Sequence, residues 1–259
     1  MPTLGVHQAT LYYQVHGEGL PLVLAHGFGG NTLTWYQQVP HFAQRYRVIN
    51  FDHRHWGRSE CDRKDLDLKH FAGDLLALLD AEEAERAAIV AHDIGGISGL
   101  RLALEHPERV SCLVLSNTMG GVMTDEIRQA LDRISVDYSR RGAAPEQAMP
   151  TEFIERNPAK AFLLLQIFGL NPPVDPLLVG DVIEARVWSE ELTGYSTPTL
   201  VIGGTQDWIS PSAALREAAA LIPGAEMVEF PEAGHFPHFE IPDEFNRVVG
   251  EFVARHHMA

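Results

Sequence analysis

Asp93 occupies a position from which a side chain can attack. It lies in Ala91-His92-Asp93-Ile94-Gly95-Gly96, after the apolar run Ala87-Ala88-Ile89-Val90 and before Ile97-Ser98-Gly99-Leu100-Arg101-Leu102-Ala103-Leu104. Strand, small-x-acid-x-small, helix is the layout of a nucleophile elbow, with Asp where Ser is usual. Small neighbours allow a tight turn, and the turn aims backbone N–H groups and a helix N-terminus at the reacting atom.

Three further sites lie where a predicted strand ends. His26-Gly27-Phe28-Gly29-Gly30 follows Leu22-Val23-Leu24-Ala25, and the N–H groups of Phe28 and Ile94 are the expected oxyanion hole. Asp207, in Gly203-Gly204-Thr205-Gln206-Asp207-Trp208, can orient a histidine; its plainer reading is a helix N-cap ahead of Pro211. His235, in Gly234-His235-Phe236-Pro237-His238, is the candidate base. Asp93, Asp207 and His235 run in the chain order nucleophile, acid, histidine. His26, His92 and Phe236 flank these groups and are expected beside a substrate.

The elements that must hold these groups alternate between strand-like and helix-like runs, which predicts a mostly parallel sheet with helices on both faces. Strands are expected at Ala9–Val15, Leu22–Ala25, Arg47–Phe51, Ala87–Ala91, Cys112–Leu115, Thr199–Ile202 and Met227–Phe230. The first two are expected to form a hairpin turning at Gly17-Glu18-Gly19. Helices are expected at Thr34–Arg45, Leu68–Leu79 and Pro242–Ala254, the last two with one apolar face. Between Asn117 and Thr197 the alternation stops, and helices broken by prolines read as a cap inserted between two strands. The expected organisation is a core at 1–117 and 197–259 around a helical cap at 118–196. Met119, Met123, Phe162, Phe168, Trp188 and Trp208 are candidates to line an apolar cavity for a small or medium hydrophobic substrate.

Composition narrows the partners. The chain has 259 residues, 45% of them hydrophobic, enough for one large α/β domain. A formal charge of −15 argues against nucleic acid and against an anionic membrane surface. No apolar run approaches the ~18 residues of a membrane span. Met1-Pro2-Thr3-Leu4-Gly5 has no signal-peptide pattern, and Cys61 and Cys112 give no disulfide framework, so a reducing cytoplasm is expected. The thirteen histidines show no metal-ligand spacing, and Gly95-Gly96 lacks dinucleotide-site spacing, so neither metal nor cofactor is expected. Arg54 and Arg101 read as structural. The sequence is silent on oligomeric state.

Over nearly its whole length the chain resembles the α/β-hydrolase superfamily. His26-Gly27, Asp52-His53-Arg54-His55-Trp56-Gly57-Arg58-Ser59, Asp93 with its small neighbours, Asp207 and Gly234-His235 match the family landmarks in order. The resemblance implies the α/β-hydrolase fold with an inserted cap, and hydrolase activity. His55 departs from it, since relatives usually carry Gly there; it reads as a packing change or as a residue at the pocket mouth.

An aspartate titrates near ~3.9, so it is charged at neutral pH and needs no base to attack. Attack on an ester carbonyl would give an anhydride, uphill. Attack on a saturated carbon bearing a leaving group gives a stable alkyl ester, as at an epoxide or a carbon–halogen bond. His235, oriented by Asp207, would then activate the water that hydrolyses it. In this respect the chain resembles epoxide hydrolases and dehalogenases. Their finer marks differ: Gly29 stands where epoxide hydrolases usually have Pro, and Ile94 and Phe28 stand at the halide-binding positions of haloalkane dehalogenases. Ile94 also replaces the Arg of fluoroacetate dehalogenases. Trp35, Trp56, Trp188, Trp208 or Tyr138 would have to supply leaving-group donors. The sequences around His26 and His235 are instead similar to serine-dependent esterases, lactonases and carbon–carbon bond hydrolases. Two alternatives therefore stay open: an esterase- or lactonase-like enzyme with Asp93 as base, and a non-hydrolytic enzyme or binding protein.

Overall fold

A computed structural model of the chain describes residues 2–129, 132–133, 145–172 and 185–258. Its strands are β1 (Thr3–Val6), β2 (Ala9–His16), β3 (Pro21–Ala25), β4 (Arg47–Phe51), β5 (Glu60–Cys61), β6 (Ala87–His92), β7 (Val110–Ser116), β8 (Val122–Met123), β9 (Val187–Trp188), β10 (Thr199–Gly204) and β11 (Glu226–Phe230). The helices are α1 (Gln38–Phe42), α2 (Phe71–Ala81), α3 (Ile94–Glu105), α4 (Thr151–Arg156), α5 (Pro158–Gly169), α6 (Ser212–Leu221), α7 (Pro237–Glu240) and α8 (Pro242–His256).

The main sheet runs in the order β1-β2-β4-β3-β6-β7-β10-β11, with β5 on β2. It is parallel from β4 to β11 and antiparallel at the β1-β2-β4 edge. This is the expected α/β-hydrolase architecture. One expectation fails: β2 and β3 do not form a hairpin, because β4 lies between them. The Gly17-Glu18-Gly19 turn therefore makes a crossing to the far side of β4. The predicted helix at Thr34–Arg45 divides into a 3-10 turn at Thr32–Trp35 and the short α1.

Central strands are buried on both faces, so they read as continuous apolar runs. Successive side chains still go to opposite sides. Val23, Ala25, Ile89 and Ala91 pack with Leu75, Leu78, Leu100 and Leu215 of α2, α3 and α6. Leu22, Leu24, Ala88 and Val90 pack with Phe42 of α1 and with Phe245, Val249 and Phe252 of α8. The sheet is thus clamped from both faces, and its strand ends are fixed relative to one another.

The segment between β7 and β10 carries α4, α5 and the small β8-β9 pair. Phe153, Ala161, Leu164 and Ile167 form an apolar cluster with Phe236 and Phe239, which follow His235. These helices therefore sit on the His235 loop. Tyr138 lies outside the described residues. Among the described residues, no helix is long and apolar enough to cross a membrane, and no group of three or more His, Cys, Asp or Glu side chains is placed to hold a metal ion.

Candidate active site

Asp93 stands between β6 and α3 with φ 49° and ψ −119°. A non-glycine residue in that region is strained, by about 1–3 kcal/mol, and persists only where its surroundings fix it. Here they do. The Asp93 N–H donates to the Ser116 carbonyl at 3.2 Å, and its carbonyl accepts from Gly96 N at 3.0 Å. The loop after β3 comes close enough that a Cβ on Gly27 would lie 2.7 Å from Asp93 Cβ and 2.9 Å from His92 Cε1. Only glycine fits, and its neighbour Phe28 gains from the close approach: the Phe28 N–H donates to Asp93 Oδ1 at 2.6 Å.

The other carboxylate oxygen, Oδ2, lies 3.8 Å from His235 Nε2. That is beyond a hydrogen bond. The opposite ring nitrogen, Nδ1, donates to Asp207 Oδ2 at 2.8 Å. Asp207 also accepts from Asn117 Nδ2 at 2.8 Å, from Ile209 N at 2.8 Å and from Ser210 N at 3.1 Å. Burial works to raise the Asp207 carboxyl, but the His235 imidazole and these hydrogen bonds outweigh it and hold it below the usual carboxylate range. Burial likewise works to lower His235; the charges of Asp207, Asp93 and Glu240 win and raise it above the ordinary imidazole value.

The His235 main chain is bonded on every side. Its N–H donates to the Ala148 carbonyl at 3.1 Å. Its carbonyl accepts from His92 Nε2 at 2.8 Å. The Gly234 carbonyl accepts from Asn117 Nδ2 at 3.0 Å. Glu240 accepts the N–H groups of Gly234 and Phe236.

Asp93, Asp207, His235 and Phe28 thus converge, and Ile94 opens α3 beside them, its side chain packed with Phe28 against the apolar cluster around Trp56. Phe168 packs over Gly29 and meets the Phe236 ring edge-on at 5.7 Å. Met119 is half-buried against the sheet core.

The other candidate residues stand in different settings. His26 is fully buried; its Nε2 accepts from His53 N at 2.9 Å and its Nδ1 donates to the Gly27 carbonyl at 2.8 Å, so both nitrogens are committed to the backbone. His92 is also buried, and burial beside His235 pushes it down to about 4, which keeps it a neutral donor. Phe162 is 63% exposed on the outer side of α5. Trp188 is exposed too, its ring under the Arg186 guanidinium at 4.4 Å. Trp35 is buried in the core with its ring centroid 4.4 Å from that of His238. The Trp208 indole N–H donates to the Gln147 carbonyl at 2.7 Å. Trp56 is buried, with its ring centroid 5.6 Å from that of Phe28. His55, with φ 75°, lines a surface cleft of about 620 Å³ with Gln8, Cys61 and Pro172.

Asn117 and Glu240 went unread in the sequence. Asn117 follows the end of β7 at φ 50°, a backbone setting in which Asn is enriched. Like the other groups of the site it lies at the C-terminal end of a parallel strand, where ligands of open α/β sheets collect.

The profile of the alpha/beta hydrolase family matches residues 22–248. The chain belongs to the alpha/beta hydrolase family. A family relative from Azorhizobium caulinodans, provisionally named carbamate hydrolase RutD, is 31% identical over 261 residues, covering 96% of this chain and 97% of its own. Among solved alpha/beta hydrolases, Est816, described as an N-acyl homoserine lactone degrading enzyme, is 30% identical with a TM-score of 0.81, over 97% of this chain and 100% of its own. The enol-lactonase from Burkholderia xenovorans LB400 is 26% identical with a TM-score of 0.79, over 98% of this chain and 100% of its own. Hydrolase chemistry is supported by the family and by these neighbours.

Proposed function

We propose that the protein is a hydrolase in which Asp93 attacks a saturated carbon bearing a leaving group, an epoxide or a carbon–halogen bond, in a small to medium hydrophobic substrate. The observation that carries this reading is the division of labour within one carboxylate: Oδ1 accepts the Phe28 N–H at 2.6 Å, while Oδ2 faces His235 Nε2 at 3.8 Å. Oδ2 forms the new bond to carbon as the carbon–halogen or epoxide C–O bond breaks; a halide departs as the anion, whereas an epoxide oxygen stays on the substrate and takes a proton from solvent, and either way an alkyl ester is left on Asp93. His235 Nε2 then removes a proton from water as its oxygen adds to the Asp93 Cγ. Negative charge collects on Oδ1, which already sits against the Phe28 N–H. Collapse releases the alcohol, which takes the proton from His235, and leaves Asp93 as a carboxylic acid; loss of water's second proton to solvent restores the carboxylate. Asp207 holds Nδ1 protonated throughout, so the acceptor is always Nε2. The cap is proposed to be residues 118–196, with Phe168 and Phe236 at the apolar wall, and Ile94 N as a second donor to the hole.

His235→Gln removes the base and keeps the shape. Exposed to a panel of epoxides, haloalkanes, esters and lactones, it should gain the mass of an alkyl adduct on Asp93, and the gain should vanish in the double variant with Asp93→Asn. A second reading is favoured by the names of the relatives, which point to lactones and a carbamate: Asp93 acts as a base that activates water toward an acyl carbon. It predicts turnover of an ester or lactone by the wild type, with no adduct from any compound in His235→Gln.

A further inference from the structure

Two N–H groups bracket His235, and both end on one side chain. Glu240 closes the single turn of α7 and folds its carboxylate back over its own start. Oε2 accepts from Gly234 N at 2.6 Å, and Oε1 accepts from Phe236 N at 3.1 Å. The side chain is 6% exposed, so its charge has been taken out of water. Burying a carboxylate is costly unless it is bonded, and a neutral or apolar residue would fill the same space with less penalty. What a carboxylate offers here is two acceptor oxygens and no donor. Glutamine has one of each, so its NH2 would face one of the two amides.

We propose that Glu240 is a positioning residue for the catalytic base: by holding the amides on either side of His235 it fixes the main chain from which the imidazole is aimed at Asp93. The neighbouring contacts fit that role. Gly234 O, His235 N and His235 O are taken by Asn117, Ala148 and His92, which leaves the N–H groups of Gly234 and Phe236 for Glu240. The titratable groups whose charges reach it are Asp207, beyond β10, and His235, on the same loop. Burial pushes the Glu240 carboxyl up to about 7, against the two amides that favour its charge. Once protonated it keeps one good acceptor for two donors, so the loop should slacken below that pH.

This inference rests on His235 acting as the base, and proton NMR of the protein alone tests it. Wild type should show the downfield signal of the His235 Nδ1–H that donates to Asp207. In a folded Glu240→Gln the signal should broaden to loss at neutral pH, and Gly234 and Phe236 amide exchange should accelerate by about tenfold, the equivalent of about one lost hydrogen bond. Glu240→Asp, which restores the charge with a shorter reach, should recover part of the signal. Glu240→Gln with a sharp, unshifted Nδ1–H signal overturns the proposal. If Glu240→Gln does not fold, wild type decides: the Gly234 and Phe236 amides should follow one common titration, and separate or flat curves overturn the proposal. Failure of the base reading is distinguishable, because His235→Gln would then retain turnover.

Discussion

Asp207→Asn is the sharpest perturbation of the site. Asp207 is buried, and each of its oxygens accepts twice: Oδ1 from Ile209 N and Ser210 N, Oδ2 from His235 Nδ1 and Asn117 Nδ2. An asparagine NH2 in either place meets two donors. The change therefore forfeits two charge-assisted bonds at about 1.5–3 kcal/mol each. If all of the resulting ~3–6 kcal/mol falls on the water step, that step slows by about 10²–10⁴. The alkyl ester should then accumulate in a single turnover, because attack by Asp93 does not need the pair. The His235 titration supplies an independent readout. Burial lowers it, and the Asp207 charge is foremost among the groups that raise it above 6.5. A raised histidine contributes stability that is fully present below its unfolded value and lost as pH rises through its folded value. Asp207→Asn should erase that slope and bring the His235 midpoint down by NMR. A variant that hydrolyses its substrate within threefold of wild type, with the His235 titration unmoved, would exclude this role for Asp207.

The linkage has the same sign at Glu240, whose carboxyl is raised from 4.5 to about 7: its proton is held in the folded state, so stability falls as pH climbs through that window. Against Glu240→Gln, which cannot ionise, the unfolding free energy of wild type should lose on the order of 3 kcal/mol between those two pH values, measured by urea titration. Asn117→Ala removes one of the four donors to Asp207, strands the Gly234 carbonyl and leaves alanine at φ 50°; chemical denaturation should register a loss of about 2–4 kcal/mol, with slower turnover. In Gly96→Ala the new methyl would lie 2.8 Å from Thr118 Oγ1, so the elbow helix must shift, at about 1–3 kcal/mol. Phe162→Ser, on the outer side of α5, should change neither stability by more than about 0.5 kcal/mol nor turnover.

The fold was legible because the central strands are buried on both faces and the helices on one. Ala87–His92 and Val110–Ser116 read as apolar runs, and Pro242–His256 as a one-sided helix. The β2–β3 hairpin was misread because strand order is decided by pairing partners distant in the chain, and a local Gly-Glu-Gly turn carries no word of β4. Asp93, Asp207 and His235 were visible as polar letters at the ends of apolar strands. Asn117 and Glu240 were not, because they act on main-chain groups that only the folded loops bring near. His26, beside Gly27, and His92, beside Asp93, illustrate the converse: a histidine next to a site residue looks available until the backbones around it are placed. Aromatic content alone did not separate Phe162, turned to solvent, from Phe168 six residues on, turned to Gly29.

In the proposed reaction water attacks Asp93 and not the substrate. Using the compound trapped by His235→Gln, a single turnover of wild-type enzyme in H2¹⁸O followed by mass spectrometry of the peptide bearing Asp93 tests it directly. One ¹⁸O is expected in the Asp93 carboxylate, with an unlabelled first product. An unlabelled Asp93, with the ¹⁸O in the first product, would contradict it and make Asp93 a base.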